Sequence, residues 1–267
     1  MKTILLLVHD DAGQEARLQA ALDVTRALEG HLKCLDVAMS PMLLGDFYSG
    51  AGEAMLLAEE RAQEGENRTQ LEARLAKEQL PWDWTDTVGM AGPALANSCG
   101  LADLIVVNRQ LDSFPLPDMR ELAGDLIVRS GKPILAVPEE SRGLNVCGRV
   151  LVCWDGSACA SAALHAAVPL LKLAEAVILL EVDEGKCASS VEGAAEYLSR
   201  HDVHALVRRR HPLTMKPAQV ILDEVRRERI DYVVMGGFSH LRFVEALFGG
   251  VTRTMLNEAP VPVFMAH

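Results

Sequence analysis

The chain repeats one pattern of apolar runs and amphipathic stretches, and this internal repeat limits its fold more than any other feature. The segments TILLLVHDDAGQEARLQAALDVTRALEGHLKCLDV and RVLVCWDGSACASAALHAAVPLLKLAEAVILLEVD each contain an apolar run, a polar turn, a helical stripe and a second apolar run. Two later pairs recur in the same order, ADLIVVNR with IDYVVMGG and GKPILAVP with APVPVFMA. A repeat at about 130 to 145 residues indicates a duplicated domain.

Strand and helix patterns alternate throughout both halves. A charged, Ala/Leu-rich stretch predicts a helix over residues 53–79, and periodicity predicts further helices over residues 191–200 and 217–229. The order is β-α-β-α-β-α-β-α-β in each half. Continuous apolar strands such as ILLLV are typical of a parallel sheet that is covered on both faces.

We therefore predict two tandem α/β domains, residues 1–140 and residues 149–267, joined by the polar linker EESRGLNVCG. Each domain is expected to be Rossmann-like, with a five-stranded parallel sheet and helices on both faces.

Composition excludes several classes of function. The formal net charge of -11 opposes general attraction to nucleic acid or anionic membranes, and no apolar run approaches the roughly 20 residues that span a bilayer. The short apolar start ends at Asp10 and Asp11 without a small-residue cleavage site, so we interpret it as a first strand. Most of the 6 cysteines lie in apolar segments, where reduced thiols pack well. A cytoplasmic protein is expected.

The glycines near the C-terminus predict a ligand site in the second half. Ligands of doubly wound sheets bind beyond the carboxyl ends of the strands, where the winding direction reverses. The first strand of this half ends at Asp155 and the fourth ends at Gly236, so the two should face each other if their strands are neighbours. Gly249 and Gly250 open a later helix, whose N-terminal N–H groups suit phosphate. Together these turns predict a polyphosphate site.

The whole chain resembles the universal stress protein family in its tandem two-domain form, in the adenine nucleotide alpha hydrolase-like group of folds. The family's nucleotide signature is G, two residues, G, nine residues, then G followed by Ser or Thr. Gly236 and Gly249 match this signature, whereas Ser239 replaces the second glycine and Gly250 replaces the hydroxyl residue. The departures add a Cβ at one position of backbone approach and remove one side-chain donor at another.

The resemblance implies that the second domain binds ATP, AMP or ADP, with or without Mg. It places the base and ribose against the residues that end the first two strands, and the phosphates and ribose against the glycine turns. The implied contacts are Asp155, Val182, Gly236, Ser239, Gly249, Gly250 and Val251. The neighbouring His240 is either a further phosphate contact or a solvated loop histidine. Asp155 and the following Ser157 also suit the capping of a helix.

The first half departs from the signature. His9 stands at the position of Asp155 with Asp10 one step on, Asn108 stands at the position of Gly236, and Gly124 is what remains of the later glycine turn. We predict that this half binds no nucleotide in the family's manner. Family members dimerise through their last strands, so residues 134–137 and 261–265 are expected at the domain junction, forming an intramolecular pseudo-dimer.

The expected function is a stress-response regulatory or adaptor protein that responds to nucleotide occupancy, with its protein partner unknown and further homodimerisation open. A nucleotide-independent interaction protein is the alternative, because some family branches have lost the signature. A binder of apolar ligands at the methionine-rich loop with Met39, Met42 and Met55, or of metal at the cysteines, is a weaker option. Cys147, Cys153 and Cys159 recur every six residues, whereas zinc sites use tighter pairs. No metal ligands and no catalytic residues are expected, so we do not predict an enzyme.

Overall fold

The computed structural model describes residues 1–39, 50–109, 119–182, 190–211, 214–237 and 250–267. Within these ranges the first half forms five strands and four helices in strict alternation: β1 (Thr3–Val8), α1 (Gln14–Ala27), β2 (His31–Met39), α2 (Gly50–Leu75), β3 (Trp82–Gly89), α3 (Ala91–Ser98), β4 (Leu104–Asn108), α4 (Met119–Ser130) and β5 (Ile134–Val137). The predicted helix over residues 53–79 is displaced towards the N-terminus, since α2 ends at Leu75 and a turn leads to the next strand.

The second half repeats this order. Its elements are β6 (Arg149–Trp154), α5 (Ala158–Leu171), β7 (Ala176–Val182), α6 (Val191–Arg200), β8 (Ala205–Arg210), α7 (Pro217–Glu228), β9 (Tyr232–Gly236), α8 (Gly250–Glu258) and β10 (Val263–Ala266). The predicted bounds of α6 are confirmed. Helix α7 begins at the predicted proline and ends one residue early, because Arg229 adopts a left-handed φ of 53°.

All ten strands form one sheet in the order β3-β2-β1-β4-β5-β10-β9-β6-β7-β8. The five strands of each half are parallel to one another, as predicted. The halves join where β5 and β10 pair antiparallel, with Ala136 opposite Val263 and Ile134 opposite Met265. The expected junction is therefore confirmed, and it continues the sheet from one half to the other. Pairing these two strands also removes two exposed sheet edges.

Helices cover both faces of the sheet. Alternate residues of β1 point to opposite sides, so that Ile4 and Leu6 belong to one core cluster and Leu5 and Leu7 to the other. Helices α1, α2, α5 and α6 pack on the first cluster, and α3, α4, α7 and α8 on the second. Arg109, which follows β4, donates a hydrogen bond of 3.1 Å from Nη1 to the carbonyl oxygen of Leu256 in the other half. No described helix has the length and apolarity that crossing a membrane requires.

Candidate functional site

The winding direction of the second half reverses between β6 and β9. These strands are parallel neighbours, paired in register as far as Val152 and Val234, which sets their carboxyl ends side by side. After β6 the chain enters α5 on one face of the sheet, and the helix that follows β9 lies on the other face. The two connections therefore diverge and leave a crevice at the strand ends, as the sequence predicts.

Asp155 stands at the mouth of this crevice, immediately after β6. It is exposed, and its Oδ1 accepts a hydrogen bond of 2.9 Å from the backbone N–H of Ser157. The helix cap itself is Ser157, whose Oγ accepts from the N–H of Ala160 at 3.1 Å. Gly156 between them has a φ of 74°, in the left-handed region that favours glycine. This turn holds the Asp155 carboxylate at the mouth.

Gly236 is required by close packing. A Cβ at this position would lie 2.5 Å from the backbone nitrogen of Ala160 and 2.6 Å from the carbonyl carbon of Cys159. The first turn of α5 thus rests directly on the end of β9, which only a residue without a side chain permits. A substitution here would displace the start of α5, so Gly236 is required for packing whether or not a ligand binds.

Gly250 differs from Gly236 in its surroundings. It is exposed at the start of α8, and a Cβ there would meet no described atom within 4 Å. Val251 follows it and is half-buried, while Val182 ends β7 and is also half-buried. The structure therefore brings a helix N-terminus and the strand-end residues to the same half of the sheet. Ser239, His240 and Gly249 lie outside the described residues.

Cys159 and His267 lie beneath the glycine turn. The Cys159 Sγ is 3.2 Å from Nδ1 of His267, and the same nitrogen is 3.1 Å from the carbonyl oxygen of Gly237. Burial, together with the charge of Asp155, raises the pKa of Cys159, so the thiol stays protonated near neutral pH. The structure describes five of the cysteines as free thiols: Cys34, Cys99, Cys147, Cys153 and Cys159.

Side chains fill the corresponding crevice of the first half, between β1 and β4. Asn108, at the position of Gly236, is fully buried, and Arg17 is the largest fully buried side chain. The guanidinium of Arg17 donates to the carbonyl oxygens of Leu7 and His9, both at 2.8 Å, to Asp11 Oδ1 at 2.7 Å and to Asn108 Oδ1 at 2.6 Å. The sequence interpretation missed Arg17, because a helical arginine is normally exposed. In this half the glycine stands on the helix side of the contact: a Cβ on Gly13 would lie 2.5 Å from Nδ2 of Asn108, the residue at the strand end.

His9 also differs from its counterpart Asp155. Asp155 is exposed, whereas His9 is 7% exposed and its Nδ1 lies 2.6 Å from Glu64 Oε1 on α2. Gly124 forms no turn and is buried inside α4, so the suggested remnant of a later glycine turn is wrong. Among the described residues, this half thus replaces each feature of the second-half site with a buried polar side chain or a helix.

Comparison with known proteins agrees with this architecture. Residues 147–267 match the model of the Universal stress protein family. A universal stress protein from Archaeoglobus fulgidus DSM 4304 has a similar structure over 99% of this chain and 97% of its own, with a TM-score of 0.76 and 16% identity. A functionally unknown protein from Pseudomonas aeruginosa PAO1 aligns over 100% of this chain and 92% of its own, with a TM-score of 0.59 and 14% identity. No curated protein matches the sequence. At these identities the structural neighbours show the fold of both halves.

Proposed function

Because residues 147–267 form a domain of the universal stress protein family, we propose that the second half binds an adenine nucleotide across the ends of β6 and β9. The observation that supports this most strongly is the crevice itself. Gly236 lets the N-terminal turn of α5 pack against the end of β9, and the exposed carboxylate of Asp155 stands at the neighbouring strand end. Backbone approach suits phosphate, and a carboxylate suits ribose hydroxyls.

Each predicted residue has a role in this proposal. Asp155 accepts from the ribose, and Val182 at the end of β7 contacts the base. The N–H groups of Gly236, Gly250 and Val251 approach phosphate and ribose, with the helix N-terminus of α8 adding favourable charge. Ser239 and Gly249 keep the roles that the family signature gives their positions, and His240 beside them contacts phosphate. The nucleotide is ATP, AMP or ADP, with or without Mg, and the protein holds it without turnover.

Occupancy would then act through conformation in a stress-response regulatory or adaptor role. Gly236 ends β9, which pairs with β10, the strand that joins the two halves, so phosphate bound at this strand end would act close to the junction. The first half contributes a filled crevice and a continuous sheet, so the chain functions as an intramolecular pseudo-dimer with one nucleotide site. A cytoplasmic location agrees with this role.

Mass spectrometry of small molecules released from the denatured, freshly purified protein tests the proposal first. Calorimetric titration of the nucleotide-free full chain with ATP follows, comparing wild type with Asp155→Ala. Asp223→Ala is a matched control, because Asp223 is an exposed aspartate of the same half that pairs with Arg226 on α7. We expect about one site per chain, at least tenfold weaker binding in Asp155→Ala, and recovery of intact ATP after incubation.

Gly236→Val is a poor test of binding, because its side chain would collide with the backbone of α5 and change the fold. Absence of co-purified nucleotide together with no titratable binding at millimolar ATP would reject the proposal. The nucleotide-independent interaction protein would then be the better interpretation.

A further inference from the structure

A histidine and two glutamates converge at the end of β1 in the first half. Glu60 and Glu64 are one turn apart on α2 and therefore share a face of that helix. His9 Nδ1 lies 2.6 Å from Glu64 Oε1 and 3.8 Å from Glu60 Oε1, and the three ligand atoms lie within 4.8 Å of one another. An imidazole nitrogen and two carboxylates in this arrangement are typical ligands of a divalent metal ion.

Two buried polar atoms beside this cluster lack a hydrogen-bond partner within the described ranges. One is His9 Nδ1, on a side chain that is 9% exposed, which lies at ion-pair distance, 2.6 Å, from Glu64 Oε1. The other is Asp36 Oδ1, on a residue of β2 that is 4% exposed. Buried polar groups are nearly always satisfied, so Asp36 Oδ1 indicates a missing partner beside the cluster.

Neighbouring residues hold Glu64 in place. Its Oε1 accepts from the N–H of Asp10 at 3.0 Å, and its Oε2 accepts from Nδ2 of Asn67 at 3.0 Å. Asn67 in turn exchanges two hydrogen bonds with the side chain of Gln14 on α1. This support fixes the carboxylate relative to His9 before any ion binds, as carboxylates and amides around metal ligands commonly do.

The surrounding charge favours a cation. Burial, together with the charges of Glu64 and Asp86, raises the pKa of Asp36 to about 7 against the opposing effect of His9 and Arg68. Burial by itself lowers the pKa of His9, but contact with Glu64 and the nearby carboxylates reverse this, and the net shift is upward. A divalent ion would neutralise the carboxylates of Glu60 and Glu64, and it would have to displace the proton that Glu64 favours on His9, so its affinity should rise with pH.

From this geometry we propose that the first half binds a first-row divalent transition-metal ion, with His9 Nδ1 and the carboxylates of Glu60 and Glu64 as its protein ligands. An imidazole together with carboxylates suits Mn²⁺, Fe²⁺, Co²⁺ or Zn²⁺ better than Ca²⁺ or Mg²⁺. Bonds of about 2.0–2.2 Å place two ligand atoms roughly 3 to 4 Å apart, so His9 and Glu64 separate slightly on binding. The ion would fasten α2 to the end of β1, independently of any nucleotide in the second half.

Co²⁺ titration of the untagged, chelator-treated full chain tests this proposal, with visible absorption as the readout and no nucleotide present. Glu60→Gln is the main variant, because Glu60 is only partly buried and its loss should preserve the fold. His9→Gln removes the nitrogen ligand, and Asn67→Ala removes the support of Glu64. His31→Gln is the matched control, since His31 forms an exposed 2.7 Å pair with Asp83 at another place on the same half.

We expect one Co²⁺ per chain, absorption bands of a protein-bound ion, at least tenfold weaker binding in Glu60→Gln, and loss of the bands in His9→Gln. Asn67→Ala should bind about 10- to 100-fold more weakly, and His31→Gln should match wild type. Bound metal should also raise the melting temperature of wild type and not that of His9→Gln. No bands at millimolar Co²⁺, or equal affinity in wild type and Glu60→Gln, would overturn the proposal and leave a buried His9–Glu64 ion pair.

Discussion

The two halves follow one plan of strands and helices, yet their crevices at the carboxyl ends of the strands are opposite in character. In the second half Gly236 has no side chain and Ala163 occupies the place in α5 that Arg17 occupies in α1, counted from the end of the first strand. In the first half Arg17 and Asn108 fill the same region with a hydrogen-bonded network. A few residues therefore decide whether polar side chains fill this end of the sheet.

Removing Arg17 should have the largest effect on stability. Arg17→Met leaves Asp11, Asn108 and two carbonyl groups without their donor in a buried place, so we expect a loss of about 3–5 kcal/mol in the free energy of unfolding. Urea unfolding measures this change.

Arg26→Met is the control on the same helix. Arg26 is 51% exposed and pairs with Asp23 and Glu78, so its removal should cost less than about 1 kcal/mol. If Arg17→Met also costs less than that, water replaces the guanidinium, and the first-half crevice is not sealed by side chains.

Asp36 should make stability depend on pH in metal-free buffer. Burial, with the charges of Glu64 and Asp86, raises its pKa from 3.8 to about 7 in the folded protein. The folded state therefore holds a proton between these values that the unfolded state has released. Stability consequently falls as the pH rises through this window, by roughly 2 to 4 kcal/mol from this group.

Asp36→Asn should remove that part of the pH dependence. Between pH 4 and pH 8 the free energy of unfolding should therefore fall less in the variant than in wild type. Unfolding curves at several pH values provide the measurement, and Asp83→Asn, on exposed β3, is the control. An unchanged slope in Asp36→Asn would show that this carboxyl is already ionised in the folded protein, with its charge compensated by His9 or Arg68.

The close contact between Gly13 and Asn108 can be tested with a double-mutant cycle of these two residues. The φ of Gly13 is -92°, so alanine is strained there only by contact with Asn108 Nδ2, 2.5 Å from the added Cβ. Gly13→Ala alone should cost about 1–3 kcal/mol. In the Asn108→Gly background the same change should cost less than about 0.5 kcal/mol, and additive effects would contradict the proposed close approach.

The sequence allowed the alternating elements, the junction of the two last strands and the position of the second-half crevice to be predicted, because these follow from local periodicity and the repeat. It did not reveal the buried polar residues. Arg17 meets Asn108 only through the pairing of β1 with β4, and Glu64 meets His9 only when α2 lies over the end of β1. One visible sign was Asp36 within an apolar strand, since a carboxylate at such a place needs a partner.

Gly250→Val should have the smallest effect on stability and still distinguish packing from binding. A Cβ at position 250 would meet no described atom within 4 Å, so we expect the free energy of unfolding to change by less than about 0.5 kcal/mol. Nucleotide, in contrast, would approach the N–H groups at the start of α8, and a branched side chain there should weaken ATP binding at least tenfold in the calorimetric titration. Gly236→Ala, with its Cβ 2.5 Å from backbone, should instead lose stability and binding together. Unchanged ATP affinity in Gly250→Val would remove α8 from the nucleotide site and leave the turn between β6 and α5 as its remaining support.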